Sequence, residues 1–149
     1  MEIKVVLDKG AYMPEKAHAE DAGFDLRTPV DFTLRSVNTG ISGLGAECGM
    51  ITIDTGVHIE IPKGYVGMIK SKSGLNVNHN IVTEGVVDAG YTGSIKVKMY
   101  NLGRSLKCFN AGDKITQLVI LPIPDVEMVQ VEEITGGDRA DNGFGSTGK

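Results

Sequence analysis

Short runs in which apolar and polar residues alternate constrain the fold of this chain more than any other feature. Residues 57–61 (VHIEI) and 95–99 (IKVKM) place every second side chain on one face, which is typical of a half-buried β-strand. Residues 115–123 are predominantly apolar and predict a strand buried on both faces. Turn-forming sequences such as residues 110–113 (NAGD) separate these runs. The pattern predicts an all-β barrel or sandwich, and more specifically a jelly roll.

Length, charge and cysteine content define the broad class of the protein. A chain of 149 residues fits one domain with a moderate core. The net charge of −4 provides no electrostatic basis for binding nucleic acid or a membrane, and no run is apolar enough to span a bilayer. The N-terminal sequence MEIKVVLDKG is typical of a strand and not of a secretory signal. Cys48 and Cys108 show no metal-ligand spacing, which indicates free thiols in a reducing compartment, by default the cytoplasm.

The last eight residues, 142–149 (NGFGSTGK), combine features that suit a nucleotide. Glycines allow a backbone to approach a ligand closely, and successive N–H groups with the hydroxyls of Ser146 and Thr147 suit phosphate oxygens. Phe144 suits a flat ring, and Arg139 lies shortly before it. The alternative is a frayed, solvated tail, but such a tail needs neither the ring nor the guanidinium. We therefore expect a flexible arm that closes over a nucleotide.

Two polar clusters in the first half of the chain are not required by a core. Asp25 lies in the strand-like segment 22–26 (AGFDL), although Asp is depleted in strands. It is either a turn residue beside Gly23 or a carboxylate that supports a metal through water, because Mg²⁺ on a triphosphate takes few protein ligands. Residues 71–75 (SKSGL) combine hydroxyls, a lysine and a glycine, which suits phosphate contact. A polar turn or an N-cap at Ser73, followed by at most one short helical turn, is the alternative.

Residues 85–93 (GVVDAGYTG) bring a carboxylate to the end of an apolar strand. Val86 and Val87 precede Asp88, and Tyr91 lies three residues further on. An Asp-x-Gly sequence at a hairpin tip is an ordinary turn. An Asp that emerges from an apolar strand beside an aromatic ring is also suited to act as a general base next to a ring-binding wall.

Gln117 interrupts the apolar run at 115–123, and a buried amide needs hydrogen-bond partners. Its amide either bonds to the backbone, the more common outcome, or points into a site. The histidines His18, His58 and His79 have no ligand spacing, and His58 alternates outward on its strand. We interpret all three histidines as structural or solvated residues.

Taken in order, five segments resemble the five motifs of the trimeric, all-β dUTPases. They are AGFDL at 22–26, SKSGL at 71–75, GVVDAGYTG at 85–93, GDKITQLVI at 112–120 and RADNGFGSTG at 139–148. Each segment alone is weak evidence, but five in this order and spacing are highly specific. The resemblance implies a bacterial or phage-encoded jelly-roll homotrimer that hydrolyses dUTP to dUMP and diphosphate with Mg²⁺. It divides the chain into a β-barrel domain, residues 1–138, and a flexible C-terminal arm, residues 139–149.

The resemblance also implies roles for matching positions. Asp88 would be the general base that activates a water molecule for in-line attack on the α-phosphorus, with Gln117 near that water or the α-phosphate. Tyr91 would pack on the deoxyribose and exclude a 2′-hydroxyl. Asp25 would support through water a Mg²⁺ ion held mainly by the substrate phosphates. The hairpin from about residue 85 to residue 96 would bind uracil through main-chain hydrogen bonds. The remaining substrate-binding positions would be Lys72, Ser73, Gly74, Gly85, Val86, Val87, Lys96, Arg139, Phe144, Gly145, Ser146 and Thr147.

The chain departs from the family pattern at three places. Lys72 stands where the family usually has Arg, and a lysine cannot form a bidentate fork with a phosphate. Asp141 and Asn142 stand where the arm of the family often has Gly, and Asp141 adds a negative charge near the phosphates. Residues 36–49 form a longer Gly-rich loop than is usual in the family.

Two other functions compete with dUTP hydrolysis. The dCTP deaminases share the fold, but they carry a catalytic Glu where this chain has Lys98, and a lysine cannot act as that carboxylate. Some phage-encoded dUTPases also act as regulators that bind a repressor protein. Residues 36–49 are the candidate docking surface for such a partner, although segments of this kind are usually ordinary loops.

Overall fold

The computed structural model describes residues 1–37 and 49–136 of the chain. Along these residues run ten strands and one helix: β1 (Val5–Leu7), β2 (Gly23–Arg27), β3 (Phe32–Leu34), β4 (Met50–Asp54), β5 (Val57–Ile59), β6 (Tyr65–Lys70), α1 (Ser73–His79), β7 (Ile81–Val87), β8 (Lys96–Asn101), β9 (Lys107–Phe109) and β10 (Lys114–Pro122).

One six-stranded sheet dominates the fold. Its strands follow the order β2-β10-β6-β7-β8-β4 and the sheet curls into a half-barrel, while β1 pairs with β5 and β3 pairs with β9. Neighbouring strands are antiparallel throughout the pairings described. Side chains such as Leu26, Ile69, Met99, Ile115 and Leu118 are buried inside the curl, and each contributes roughly 1.5–3 kcal/mol. The predicted all-β fold is therefore confirmed.

Strand β10 corrects one prediction. It has neighbours on both sides, β2 and β6, but its second half is not buried on both faces as the apolar run predicted. Val119 and Ile120 are half-buried and Leu121 is exposed in the single chain. At its start the register with β2 shifts between Lys114 and Thr116, so both Ile115 and Thr116 are buried. An apolar sequence is equally compatible with side chains buried in the core and with side chains on a surface that remains exposed in the single chain.

Helix α1 is longer than the single turn predicted, because Ser73–His79 spans about two turns. The N-cap is Lys72 and makes no side-chain capping bond, so the alternative of an N-cap at Ser73 is excluded. The helix ends at Asn80, whose φ of 54° is left-handed and whose N–H donates to the carbonyl oxygen of Asn76. None of its residues is fully buried, which explains why the sequence shows no helical apolar stripe.

Two regions singled out in the sequence fall outside the described residues. They are the arm at 139–149 and most of the loop at 36–49. Within the described ranges, no helix is long and apolar enough to cross a membrane.

Candidate functional site

Asp25 lies in the middle of β2, and its side chain is buried between two lysines. The carboxylate is 4 % exposed, which rules out the simple turn interpretation of this residue. Lys72 donates to Oδ1, and the Nζ of Lys114 lies 2.6 Å from Oδ2. At this distance the Lys114 ammonium forms an ion pair with Oδ2. The sequence had suggested no role for Lys114, whose partner is distant in the chain.

The two lysines control the ionisation of Asp25. Burial alone would raise the pKa of this carboxyl, but the contacts and charges of Lys114 and Lys72 outweigh burial and hold the pKa below its ordinary value. Asp25 is therefore ionised at neutral pH. One carboxylate between two ammonium groups leaves a net positive charge beside the start of α1, where an anion would be stabilised.

The segment 71–75 joins this cluster to the sheet. Ser71 donates to the carbonyl oxygen of Thr83 at 3.1 Å and accepts from the N–H of Thr83 at 2.9 Å. These two bonds hold the end of β6 against the start of β7. Lys72 turns inward to Asp25, while Ser73 and Gly74 are exposed at the first turn of α1. The structure thus brings Lys72 into contact with Asp25, and Ser73 and Gly74 follow Lys72 at the start of α1.

Gln117 also belongs to this cluster. It lies opposite Asp25 on β2 and opposite Lys70 on β6, and its Nε2 donates to the carbonyl oxygen of Ser71 at 3.0 Å. The backbone bond expected as the more common outcome is thus confirmed. The amide also covers Gly23, where any side chain would overlap the Oε1 of Gln117. Position 23 must therefore be glycine for Gln117 to keep this orientation.

The hairpin after β7 carries Asp88 and Tyr91. Asp88 is exposed directly after the strand ends at Val87. The N–H of Tyr91 donates to the carbonyl oxygen of Asp88 at 3.1 Å, and the Tyr91 hydroxyl donates to the carbonyl oxygen of Ser94 at 2.9 Å. Gly90 has a φ of +91°, a conformation that few other residues adopt. The predicted turn at residues 88–91 is confirmed, and this turn exposes both the carboxylate of Asp88 and the ring of Tyr91.

A cavity of about 200 Å³ lies against this hairpin. It is lined by Ile69, Gly85, Val86, Val87, Asp88, Tyr91, Ile95 and Lys96. The cavity is smaller than the roughly 300–1,000 Å³ typical of sites for drug-sized ligands, so it fits a single flat ring better than a whole nucleotide. Its lining includes every base-side position that the resemblance implied within the described residues.

The hairpin and the Asp25 cluster lie at opposite ends of the β6–β7 pairing. Ser71 bonds to Thr83, whereas Gly67 at the other end of β6 pairs with Val87. Asp88 is therefore about five residues, or roughly 17 Å, along the sheet from the level of Ser71. A single chain brings Asp25, Lys72 and Gln117 together but keeps them apart from Asp88 and Tyr91.

The predicted arm residues, Arg139, Phe144, Gly145, Ser146 and Thr147, lie outside the described residues, as do Asp141 and Asn142. Among the described residues, no group of three or more His, Cys, Asp or Glu side chains is arranged to hold a metal ion.

These observations define an all-β protein with a ring-sized cavity beside an exposed carboxylate and a separate positively charged cluster. A sequence model of the dUTPase family matches residues 9–148. The chain belongs to the dUTPase family, which is a family of enzymes.

Individual relatives agree with this membership. The deoxyuridine 5′-triphosphate nucleotidohydrolase of Bifidobacterium longum is 40% identical over 136 residues, which cover 89% of this chain and 79% of that protein. A structure of the Staphylococcus bacteriophage 80alpha dUTPase with dUPNHPP superimposes with a TM-score of 0.80 at 30% identity, covering 99% of both chains. A mutant dUTPase from phage phi11 of S. aureus, described for its structural Mg(II) ion, superimposes with a TM-score of 0.77 at 28% identity, covering 91% of this chain and 100% of that one.

Proposed function

We propose that this chain hydrolyses dUTP to dUMP and diphosphate by attack of a water molecule on the α-phosphate. The observation that carries the proposal is the hairpin, which sets the exposed Asp88 beside a ring-sized cavity. Family membership supports the same reaction. The reaction would limit uracil incorporation into DNA and supply dUMP for dTMP synthesis. The free, exposed thiol of Cys108 fits the cytoplasm as its location.

The cavity suits a pyrimidine because two strands separate beside it. Strand β7 continues to Val87, whereas its pairing with β8 covers only Ile81–Thr83. Main-chain groups of residues 85–87 on the β8 side are therefore available to a base instead of a neighbouring strand. A backbone donor and acceptor that pair with O4 and N3–H of uracil would reject cytosine, because its amino group and bare N3 would leave both unpaired. Tyr91 would lie against the deoxyribose and exclude a 2′-hydroxyl.

Asp88 is the proposed general base. An exposed carboxylate at a strand end is accessible to water and is suited to take a proton from the attacking water molecule. Phosphoryl transfer needs little covalent chemistry from the protein, so the remaining residues act by positioning and by stabilising charge. Gln117 would lie near the attacking water or the α-phosphate, where its amide is held by Ser71.

The positively charged cluster is the proposed phosphate site. Lys72 and Lys114 pair with Asp25, Ser73 and Gly74 follow Lys72 at the start of α1, and the cluster has a net positive charge that attracts a triphosphate. The donor set tolerates a phosphate-bound Mg²⁺ ion, because Oδ2 of Asp25 is an ionised carboxylate oxygen with a second acceptor site besides its contact with Lys114, and that site suits a metal-bound water. Bound Mg²⁺ would neutralise charge on the phosphates and would be held mainly by them.

We propose a homotrimer in which each active site is shared. The roughly 17 Å between Asp88 and the level of Ser71 is too long for both to act on one α-phosphate in the same chain. A second subunit would supply the missing half. The extended segment at 123–136 exposes apolar side chains that include Val126, Met128 and Ile134, which suits contact with another copy. The arm at 139–149, with Arg139, Phe144, Gly145, Ser146 and Thr147, would close over the site from a neighbouring subunit.

The competing functions remain separate predictions. Lys98 is exposed and lies over the ring of Tyr100, away from the cavity lining, so the deaminase alternative gains nothing from this position. Phage dUTPases of the 80alpha type are described as controlling the transfer of virulence genes. A repressor-binding role would be tested by partner capture with and without the loop at residues 36–49, and unchanged capture after the deletion would rule out docking on this loop.

One assay tests the proposed reaction. Diphosphate release would be measured from dUTP, dCTP, dTTP and UTP, each with Mg²⁺ and with EDTA. We expect release from dUTP alone and only with Mg²⁺. Equal rates on all four nucleotides would refute base and sugar selection, and full activity in EDTA would refute the metal requirement.

A further inference from the structure

His58 connects the hairpin of Asp88 and Tyr91 to the opposite side of the fold. It lies at the centre of β5, and its Nδ1 is 2.8 Å from the carbonyl oxygen of Thr92, the residue after Tyr91. Its Nε2 is 3.3 Å from Oδ2 of Asp8, in the turn that follows β1. Asp8 is itself held in place because its N–H donates to the carbonyl oxygen of Gly56 at 2.8 Å. One imidazole therefore joins β5, the turn after β1 and the hairpin.

Both groups that face the imidazole are hydrogen-bond acceptors. A neutral imidazole carries one N–H and can satisfy only one acceptor, whereas the imidazolium satisfies both. The bond to the carbonyl of Thr92, and then the contact with Asp8, raise the pKa of His58 above its ordinary value. The charged groups around the ring are Asp8 on the turn after β1, Asp54 at the end of β4, and the Lys4–Glu60 ion pair, which lies with His58 and Thr92 around a second, separate cavity.

A second set of bonds anchors the other end of the hairpin to the same region. The hydroxyl of Thr55 donates to the carbonyl oxygen of Ile95 at 2.8 Å, and the N–H of Ile95 donates to the carbonyl oxygen of Val57 at 2.9 Å. Ser94 donates to the carboxylate of Asp54. Residues 88–91 thus lie between the end of β7 and residues 92–95, which these hydrogen bonds hold in place. Among these contacts, the one between His58 and the carbonyl of Thr92 is nearest to Tyr91 along the chain.

We propose that His58 is a positioning residue for the hairpin, acting on Asp88 and Tyr91 through the carbonyl of Thr92. This inference rests on the proposed function, because it assumes that the hairpin carries the base and the sugar contact. His58 does not line the cavity beside Asp88, and it acts only through the backbone of the hairpin, at the carbonyl of Thr92. Displacing a reacting group by about 1 Å can cost on the order of 100-fold in rate, so the loss of one such bond has a measurable effect.

Three substitutions separate the two contacts of His58. His58→Phe keeps a flat ring and removes both donors. His58→Asn places an amide N–H near the position of Nδ1 and so retains a donor to Thr92, whereas His58→Gln reaches the position of Nε2 and retains a donor to Asp8. Glu60→Gln is the matched control, because it changes a charge just after the end of β5, close to His58, without contacting the hairpin.

The first measurement is hydrogen–deuterium exchange of residues 88–94, with each rate corrected for the intrinsic pH dependence of exchange. We expect His58→Phe and His58→Gln to lower protection, and His58→Asn and Glu60→Gln to keep it. The raised pKa of His58 means that both contacts are present below pH about 6.5 and that one is lost as pH rises through the pKa in the folded protein. The neutral ring keeps the shorter contact, from Nδ1 to Thr92, so protection of residues 88–94 should stay nearly constant across that range in both the wild type and His58→Asn.

The second measurement is kcat and KM for Mg²⁺–dUTP. We expect His58→Phe to lower kcat/KM about tenfold, with a lower kcat and a higher KM, because the hairpin carries both the general base Asp88 and the ring of Tyr91. In His58→Asn both constants should return to the wild-type values. Equal behaviour of His58→Asn and His58→Phe would overturn the proposal, as would loosened exchange with unchanged kinetics. If the wild type does not hydrolyse dUTP, the proposed function is wrong. Unchanged exchange in His58→Phe would separately show that His58 does not position the hairpin.

Discussion

Replacing Asp25 by Asn tests whether the buried cluster is held together by charge. The change keeps the shape of the side chain but leaves Lys72 and Lys114 facing each other without an anion. Removing one partner of a fully buried ion pair costs about 3–5 kcal/mol. The two lysine side chains retain 28 % and 35 % exposure and can turn toward water, so we expect a smaller loss of about 2 kcal/mol.

The stabilisation by Asp25 should depend on pH. The folded-state pKa of Asp25 lies below the ordinary value, so its stabilisation is fully present above pH about 4 and is lost as pH falls through the folded pKa. Thermal denaturation at one fixed protomer concentration should show Asp25→Asn melting roughly 4–8 °C below the wild type at pH 7. The difference should begin to shrink below pH about 4, where the unfolded chain takes up the proton, and should disappear as the pH falls through the lowered pKa of folded Asp25.

The Lys4–Glu60 pair provides the matched comparison. Its side chains are 83 % and 59 % exposed, so Glu60→Gln should cost less than about 0.5 kcal/mol. If Asp25→Asn destabilises no more than Glu60→Gln, or if the difference between Asp25→Asn and wild type is unchanged at pH 3, the charge argument for this cluster is wrong.

Three further predictions concern the reaction and the packing around it. Asp88→Asn should abolish turnover while dUTP binding, measured by calorimetry, survives; substantial residual hydrolysis would exclude Asp88 as the base. Deleting residues 139–149 should reduce activity severely without preventing trimer formation in sedimentation experiments, and a fully active truncation would show that the segment is only a frayed tail. Gly23→Ala should cost about 1–3 kcal/mol and lower kcat, because the new methyl group displaces Gln117. Gly74→Ala, whose methyl group meets open space, is the stability control, and equal melting temperatures for the two variants would contradict the packing argument.

The hairpin was predictable because it is local. Asp88, Gly90 and Tyr91 lie within a few residues, so the order of strand, carboxylate, turn and ring could be inferred from the sequence alone. The structure adds the cavity between the separating strands, and the closing bond from Tyr91 to Ser94 lies within the same short segment.

Lys114 and His58 could not be predicted in the same way. A lysine at the start of a strand is usually solvated, and only the shifted β2–β10 register brings Lys114 to Asp25. His58 bonds to a carbonyl 34 residues further along the chain. Its outward direction was correctly predicted, but its partner belongs to a different element. Neither contact leaves a local signal in composition or spacing.

The sequence by itself determined the all-β class and the residue types that the candidate site contains, because alternation and turn chemistry act over a few neighbouring residues. Only the tertiary structure decided that Asp25 is enclosed by two lysines and that Ser71, beside this cluster, lies roughly 17 Å along the sheet from the level of Asp88. The physical reason is strand register. Pairing between distant segments sets which side chains lie opposite each other, and a shift of one residue would reverse the face that each presents.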